Sequence, residues 1–207
     1  MKCIDKMKKT FFRKLILFKI TLSWLAVISG FAESTNLSDM QLINMARDEG
    51  VVFLMRHALA PGMGDPQNFD INDCKTQRLL SEEGRVQARM VGEKFRQSGL
   101  KSARVKSSQW CRCKETARLL NLGVVEEIQF LNSFFDTPER AGPQTTALRK
   151  WLFHQASSSG LILVTHQVNI TALTGVVPSS GELVVIRLKK PFAIEAVSYT
   201  HLTLPTR

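Results

Sequence analysis

Apolar side chains gather in two unbroken runs, VVFLM at 51–55 and LILV at 161–164 within GLILVTH. A strand with one wet face alternates apolar and polar residues, so runs without alternation predict strands covered on both faces. Between them the period lengthens. Ala88, Val91 and Phe95 share a helical stripe that starts behind Ser81, an N-cap residue followed by Glu82 and Glu83, and runs to about Gln97. Cys113, Ala117 and Leu120 mark a second helix in CRCKETARLL. Ala147, Leu148, Trp151 and Leu152 mark the inward face of a third in QTTALRKWLFHQ. STNLSDMQLINMARDEG predicts a short capped helix ending at Gly50. ARVKSS and VVEEIQFL predict further strands, a brief helix follows His166, and ELVVIR with FAIEAV forms a terminal strand pair.

Strands alternating with helices predict an α/β fold, a three-layer sandwich with a mainly parallel central sheet and helices on both faces. Ligands of such sheets bind beyond the carboxyl ends of the strands. That rule groups distant residues. VVFLM ends at Arg56 and His57, ARVKSS ends shortly before Arg112, and LILVT ends at His166. The intervening Ala60–Lys75 stretch, APGMGDPQNFDINDCK, is a long Pro/Gly/Asp/Asn-rich loop of the kind that serves function.

Composition changes the picture mainly at the ends. The 207 residues suit one sizeable domain, and the net charge is +10. Residues 1–32 hold seven lysines and arginines against Asp5, so only +4 belongs to the remainder. That balance suits an anionic substrate, and without a basic aromatic face it excludes nucleic acid as a partner. The amino terminus joins a basic segment to the apolar ITLSWLAVISGFA, with Gly30 and Ala32 placed for cleavage before Glu33. This pattern predicts a secretory signal over 1–32 and a periplasmic or secreted domain over 33–197; uncleaved, the segment is a membrane anchor. Cys74, Cys111 and Cys113 then remain. Export permits a disulfide from Cys74 to Cys111 or Cys113, while Cys-x-Cys alone lacks the paired ligands of a zinc site. Residues 198–207, SYTHLTLPTR, carry no periodicity and read as non-native.

Two guanidinium forks arriving from different strands suit a tetrahedral dianion, and neutral imidazole is a competent nucleophile. The pattern therefore predicts in-line attack of one histidine on phosphorus, with the other histidine and both arginines holding the equatorial oxygens. The motifs LMRHA (54–58), LSEEGRVQA (80–88), SSQWCRCKETA (107–117) and VTHQ (164–167) resemble the histidine phosphatase superfamily, the phosphoglycerate mutase-like fold of branch-one type. The resemblance runs from about Val51 to Arg187. It implies His57 as nucleophile, Arg56, Arg112 and His166 as the phosphate pocket, and neither metal nor organic cofactor.

The chain departs from that pattern in two ways. Ala58 replaces the usual glycine after Arg-His. The acid that branch-one members carry in a Leu-x-Glu segment meets Leu131-Asn132-Ser133, and the acid that branch-two members carry after the second histidine meets Gln167. Asp136 is then the expected proton donor, ahead of Glu127 and Asp65. Gln167 and Asn169 either contact substrate or cap the helix after His166. His154 reads as a structural histidine, and Arg78, Arg85 and Arg89 as a solvated helix face. The expected function is an exported phosphatase acting on small phosphate monoesters, such as an envelope phosphosugar, through a phosphohistidine on His57. The alternative is a phosphate-binding module of the same fold with little or no turnover.

Overall fold

The computed structural model of the protein describes residues 38–189 and 193–199. The segment expected as a signal, 1–32, and the stretch 200–207 lie outside the described residues.

Six strands form one sheet: β1 (Val51–Arg56), β2 (Arg104–Ser107), β3 (Val125–Glu127), β4 (Leu161–Thr165), β5 (Leu183–Lys189) and β6 (Ala193–Tyr199). Their order is β3-β2-β4-β1-β5-β6. The four strands from β3 to β1 run parallel, whereas β5 pairs antiparallel with β1 and β6 antiparallel with β5. The sheet is thus mixed, a parallel half extended by a terminal hairpin.

Pleating sends alternate residues to opposite faces, and both faces are covered. Val51, Phe53 and Met55 of β1 face one apolar layer with Val105, Ile162, Val164 and Val185. Helices α1 (Asp39–Asn44), α2 (Glu82–Gln97) and α3 (Cys111–Leu119) supply residues such as Leu42, Phe95 and Ala117 to it. Val52 and Leu54 face the second layer with Leu161 and Leu163, covered by Leu148 and Leu152 of α4 (Ala141–Phe153) and by Ile170 and Leu173 of α5 (Gln167–Thr174). The unbroken apolar runs are the two innermost parallel strands.

Local signals account for most boundaries. Ser81 Oγ accepts from Gly84 N, capping α2. Ser38 and Gln41 form a reciprocal capping box on α1, which gives way to a 3-10 turn at Met45–Arg47 instead of continuing to Gly50. VVEEIQFL contributes only the three-residue β3 before a second 3-10 turn, Gln129–Leu131. Ala147 is exposed, contrary to the helical stripe, and Gln144 is buried instead. The Gln144 amide donates to the carbonyls of Phe130 and Asn132, which a methyl group cannot satisfy. At the carboxyl end, Ser198 and Tyr199 pair with Val185 and Val184, so β6 includes the first two residues of SYTHLTLPTR.

Helix α2 approaches the end of β1 very closely. A β-carbon built on Gly84 would lie 2.1 Å from the Leu59 carbonyl oxygen. Gly84→Ala must therefore push α2 away from the segment that follows His57. Such overpacking is expected to cost about 1–3 kcal/mol, read as a lower urea midpoint at unchanged slope.

Candidate active site

The parallel register sets the site. Met55 and Arg56 lie opposite Val164 and Thr165, and Ser107 lies opposite Val164, so β1, β2 and β4 end at one level. His57 N donates to Thr165 O (2.9 Å) and Ser108 N to Val164 O (2.9 Å), continuing the ladder one step past the strands. His57 and His166 emerge side by side, ring centroids 5.5 Å apart. Helices α3 and α5 begin at this edge, so their amide-rich, partially positive ends face it.

His57 is buried, and its tautomer follows from its partners. Nδ1 lies 2.8 Å from the Ala58 carbonyl, which only accepts, so Nδ1 carries the proton. Arg112 Nε, which only donates, points at Nε2 from 3.3 Å. Both contacts leave the lone pair on Nε2. Burial, then the charges of Arg112, Arg56 and Arg78, push the His57 pKa down to about 3 despite the opposing Ala58 hydrogen bond. The imidazole is neutral at ordinary pH. Ala58 fits where glycine is usual: it is wholly buried, and its N–H donates to Thr116 Oγ1 (3.0 Å).

His166 Nε2 meets Ser108 Oγ at 2.9 Å, with the Cys113 thiol 3.5 Å away. Burial first, then the neighbouring His57 and the charges of Arg112, Arg78 and Arg56, hold its pKa well below the usual histidine range. Ser108 Oγ also reaches Asn132 Oδ1 (3.2 Å), which accepts from Gln109 N as well. Asn132 thereby turns inward and Ser133 faces the cavity, so the position expected for an acid borders the site and offers only a hydroxyl.

The arginines differ in their commitments. Arg56 donates from Nη1 to Pro178 O (2.9 Å), while its buried Nε has no partner. Arg112 makes a two-pronged ion pair with Asp65, 2.7 and 3.0 Å, with both side chains almost excluded from water. Asp65 also accepts from Trp110 Nε1 (2.9 Å) and Arg78 N (3.2 Å). Burial alone would raise the Asp65 pKa, but Arg112, Trp110 and the Arg78 amide outweigh it and hold the carboxyl below its usual range.

Arg78 corrects the expectation of a solvated helix face. It lies three residues before the Ser81 cap, outside α2; its side chain donates to Gly64 O (2.9 Å) and Ala60 O and lines the cavity. The cap that starts the helix is the signal that excluded Arg78 from it. Arg85 and Arg89 do form a surface network, with Glu115 and Glu82. Burial, followed by the charges of Arg112 and Arg56, lowers the Arg78 pKa, partly offset by Asp65.

The cavity measures about 300 Å³, and its lining includes Arg56, His57, Arg78, Arg112 and His166. Asp65, Asp136 and Gln167 border it too, Asp136 as an exposed residue at the mouth. Met63 and Phe135 place exposed apolar surface there. Glu127 lies outside the lining, paired with Lys114. Asn169 turns inward to donate to Asn132 O, and His154 is exposed at the end of α4. Among the described residues, no group of His, Cys, Asp and Glu is arranged to hold a metal ion.

The 60–77 loop is tied to the start of α3 by several contacts. Cys74 is bonded to Cys111, leaving Cys113 as the free thiol among the described residues. Gln77 Oε1 accepts from Cys111 N (2.9 Å), and Phe69 stacks on Trp110 at 5.0 Å. The loop carrying Asp65 is therefore pinned to the start of the helix carrying Arg112.

Two neutral histidines and three arginines meet at the carboxyl edge of an α/β sheet, a set of groups suited to an oxyanion. A family model described as the histidine phosphatase superfamily (branch 1) matches residues 52–137. Solved structures share the fold. The protein histidine phosphatase SixA complexed with tungstate is 18% identical, with 72% of this chain and 96% of that chain covered at a TM-score of 0.54. YhfR of Bacillus stearothermophilus is 14% identical, with coverages of 70% and 94% and a TM-score of 0.52. A phosphoserine phosphatase mutant of Entamoeba histolytica in complex with phosphoserine is 12% identical, with coverages of 73% and 96% and a TM-score of 0.54. Comparison with curated proteins finds no significant match.

Two measurements check this electrostatic and covalent frame. From about 6.5 down to about 3, the unfolded chain binds a proton at His57 that the native site refuses, so stability falls with pH across that window. His57 alone is expected to cost about 2 kcal/mol between pH 7 and pH 5, measured by urea unfolding at the two values. Removing the Cys74–Cys111 bond as Cys74→Ser frees a 37-residue separation. The expected loss is roughly 2–4 kcal/mol, read as a lower melting temperature with faster proteolysis in the 60–77 loop.

Proposed function

We propose that the protein is a phosphatase that hydrolyses small phosphate monoesters through a phosphohistidine on His57 Nε2. The observation that carries this reading is the fixed His57 tautomer. Its proton is committed to Ala58 O, and its Nε2 lone pair, met by Arg112 Nε–H at 3.3 Å, lies at the edge of a cavity lined by Arg56, Arg112 and His166. A substrate dianion finds the unpartnered Arg56 Nε and competes with Asp65 for the Arg112 fork. Its negative charge also favours protonation of His166, which then donates to an equatorial oxygen. The N–P bond forms as the ester P–O bond breaks and its electron pair leaves with the ester oxygen. Water then attacks phosphorus, the N–P bond breaks, and inorganic phosphate departs.

The protein acts outside the cytoplasm in this reading, periplasmic or secreted. The basic and apolar start of the chain supports this, as does the disulfide, which an oxidising compartment preserves. Envelope phosphosugars and small scavenged phosphate esters are the substrate classes. The cavity is of small-molecule size.

The test is release of nitrophenol from para-nitrophenyl phosphate by the full chain, whose leaving group needs little protonation. Turnover is expected, with a loss of roughly 10³-fold or more in His57→Ala, on the scale of removing an enzymatic nucleophile. Full activity in that variant refutes the nucleophile. Phosphate binding by calorimetry without any turnover supports the binding module, a reading favoured by Ser133 standing where an acid is usual.

A further inference from the structure

We propose that Asp65 is the general acid of this site, delivering a proton to the leaving ester oxygen after the substrate phosphate has taken over Arg112. The inference deepens the phosphatase reading and rests on it.

Position 133 is a serine and position 167 a glutamine, so two acid-bearing positions of the wider pattern are empty of acid. The carboxylates bordering the cavity are Asp65 and Asp136. Asp136 is exposed, whereas the Asp65 side chain is 7% exposed and reaches the reacting nitrogen through a single guanidinium. Arg112 Nη1 and Nη2 grip Asp65 while Arg112 Nε touches His57 Nε2. A phosphoryl group placed for attack on this side must meet both the fork and the carboxylate.

That encounter supplies the proton. Without substrate, the arginine keeps Asp65 ionised. A phosphate dianion that claims the same fork leaves two anions side by side in a nearly dry space, where they cannot both stay fully charged. One proton accompanies the pair, shared between Asp65 and the phosphate ester. Asp65 does not drift away on losing Arg112, because Trp110 Nε1 holds one oxygen and the Arg78 amide the other. The Cys74–Cys111 bond and the Phe69–Trp110 stack hold the surrounding loop.

The step balances. As His57 Nε2 bonds to phosphorus, the P–O bond breaks toward oxygen, and the Asp65 proton neutralises the departing alkoxide. Asp65, now a carboxylate, takes a proton from the attacking water in the second half-reaction. The N–P bond breaks back onto His57, the proton on Asp65 leaves with the departing phosphate, and Asp65 returns as a carboxylate to Arg112 until the next ester arrives with its own proton.

Leaving-group dependence tests the assignment on the full chain. Asp65→Asn is expected to lower kcat on glycerol phosphate, an alkyl ester, by roughly 10²- to 10⁴-fold. It should change kcat on para-nitrophenyl phosphate less than about tenfold, because that leaving group departs unprotonated. Asp65→Glu should recover part of the alkyl activity. Equal losses on both esters, no loss on either, or an alkyl-selective loss in Asp136→Asn instead of Asp65→Asn would each overturn it. If Asp65→Asn does not fold, the wild type still decides. A shallow dependence of kcat/KM on leaving-group pKa across aryl and alkyl phosphates supports an acid at this site, and a steep one removes it. A wild type active on the nitrophenyl ester and inert on alkyl esters overturns the Asp65 role alone. A wild type inert on both takes the phosphatase reading with it.

Discussion

The hydrogen-bonded register between Val51–Arg56 and Leu161–Thr165 is the constraint on which the rest depends. These two strands are buried on both faces, so a one-residue slip would exchange the side chains fitted into the two layers, Phe53 and Met55 for Val52 and Leu54. The register that the core enforces is therefore the register of the two histidines. His57 and His166 sit on the first positions past the pairing, where the backbone is still held by His57 N to Thr165 O. Precision at the site is inherited from packing below it.

A second layer of control comes from outside the sheet. Arg112 stands at the start of α3, and three kinds of contact bring the 60–77 loop to it: a disulfide, an aromatic stack and a buried ion pair. An unpaired guanidinium in that position would be a costly buried charge. Asp65 satisfies it with a carboxylate, which has two of the oxygens that a phosphate would offer. The site is thus already shaped around an anion, with the Asp65 carboxylate held in the Arg112 fork.

Elements whose signals are local were legible in the sequence. The Ser81 cap, its acidic first turn and the Ala88/Val91/Phe95 stripe specify α2 within a few residues, because helix formation depends on neighbours three and four positions away. The grouping of Arg56, His57 and His166 could be read from the apolar strands that end at them, and that of Arg112 from the helix that starts soon after β2. What was hidden depends on distant partners. Gln144 is buried because two carbonyls from another segment need donors, a fact no periodicity carries. Arg78 and Asp65 lie in an irregular loop whose path is set by contacts to α3. Burial on both faces is equally satisfied by either strand direction, so the antiparallel turn of β5 and β6 leaves little mark on composition. Which cysteine partners Cys74 was likewise open until geometry placed Cys111 beside it.

The leftover thiol completes that choice. Before the chain compacts, Cys111 and Cys113 are equivalent captors for Cys74, and either bond can rearrange by thiolate attack from the other sulfur. Packing ends the equivalence. Burial pushes the Cys113 thiol up to about 12, against the lowering influence of Arg112 and Ser108, and removes it from solvent. A protonated, enclosed sulfur does not attack its neighbour. The tertiary fold thus guards the covalent connectivity: with Cys113 enclosed and protonated, the Cys74–Cys111 bond has no thiolate beside it to exchange with.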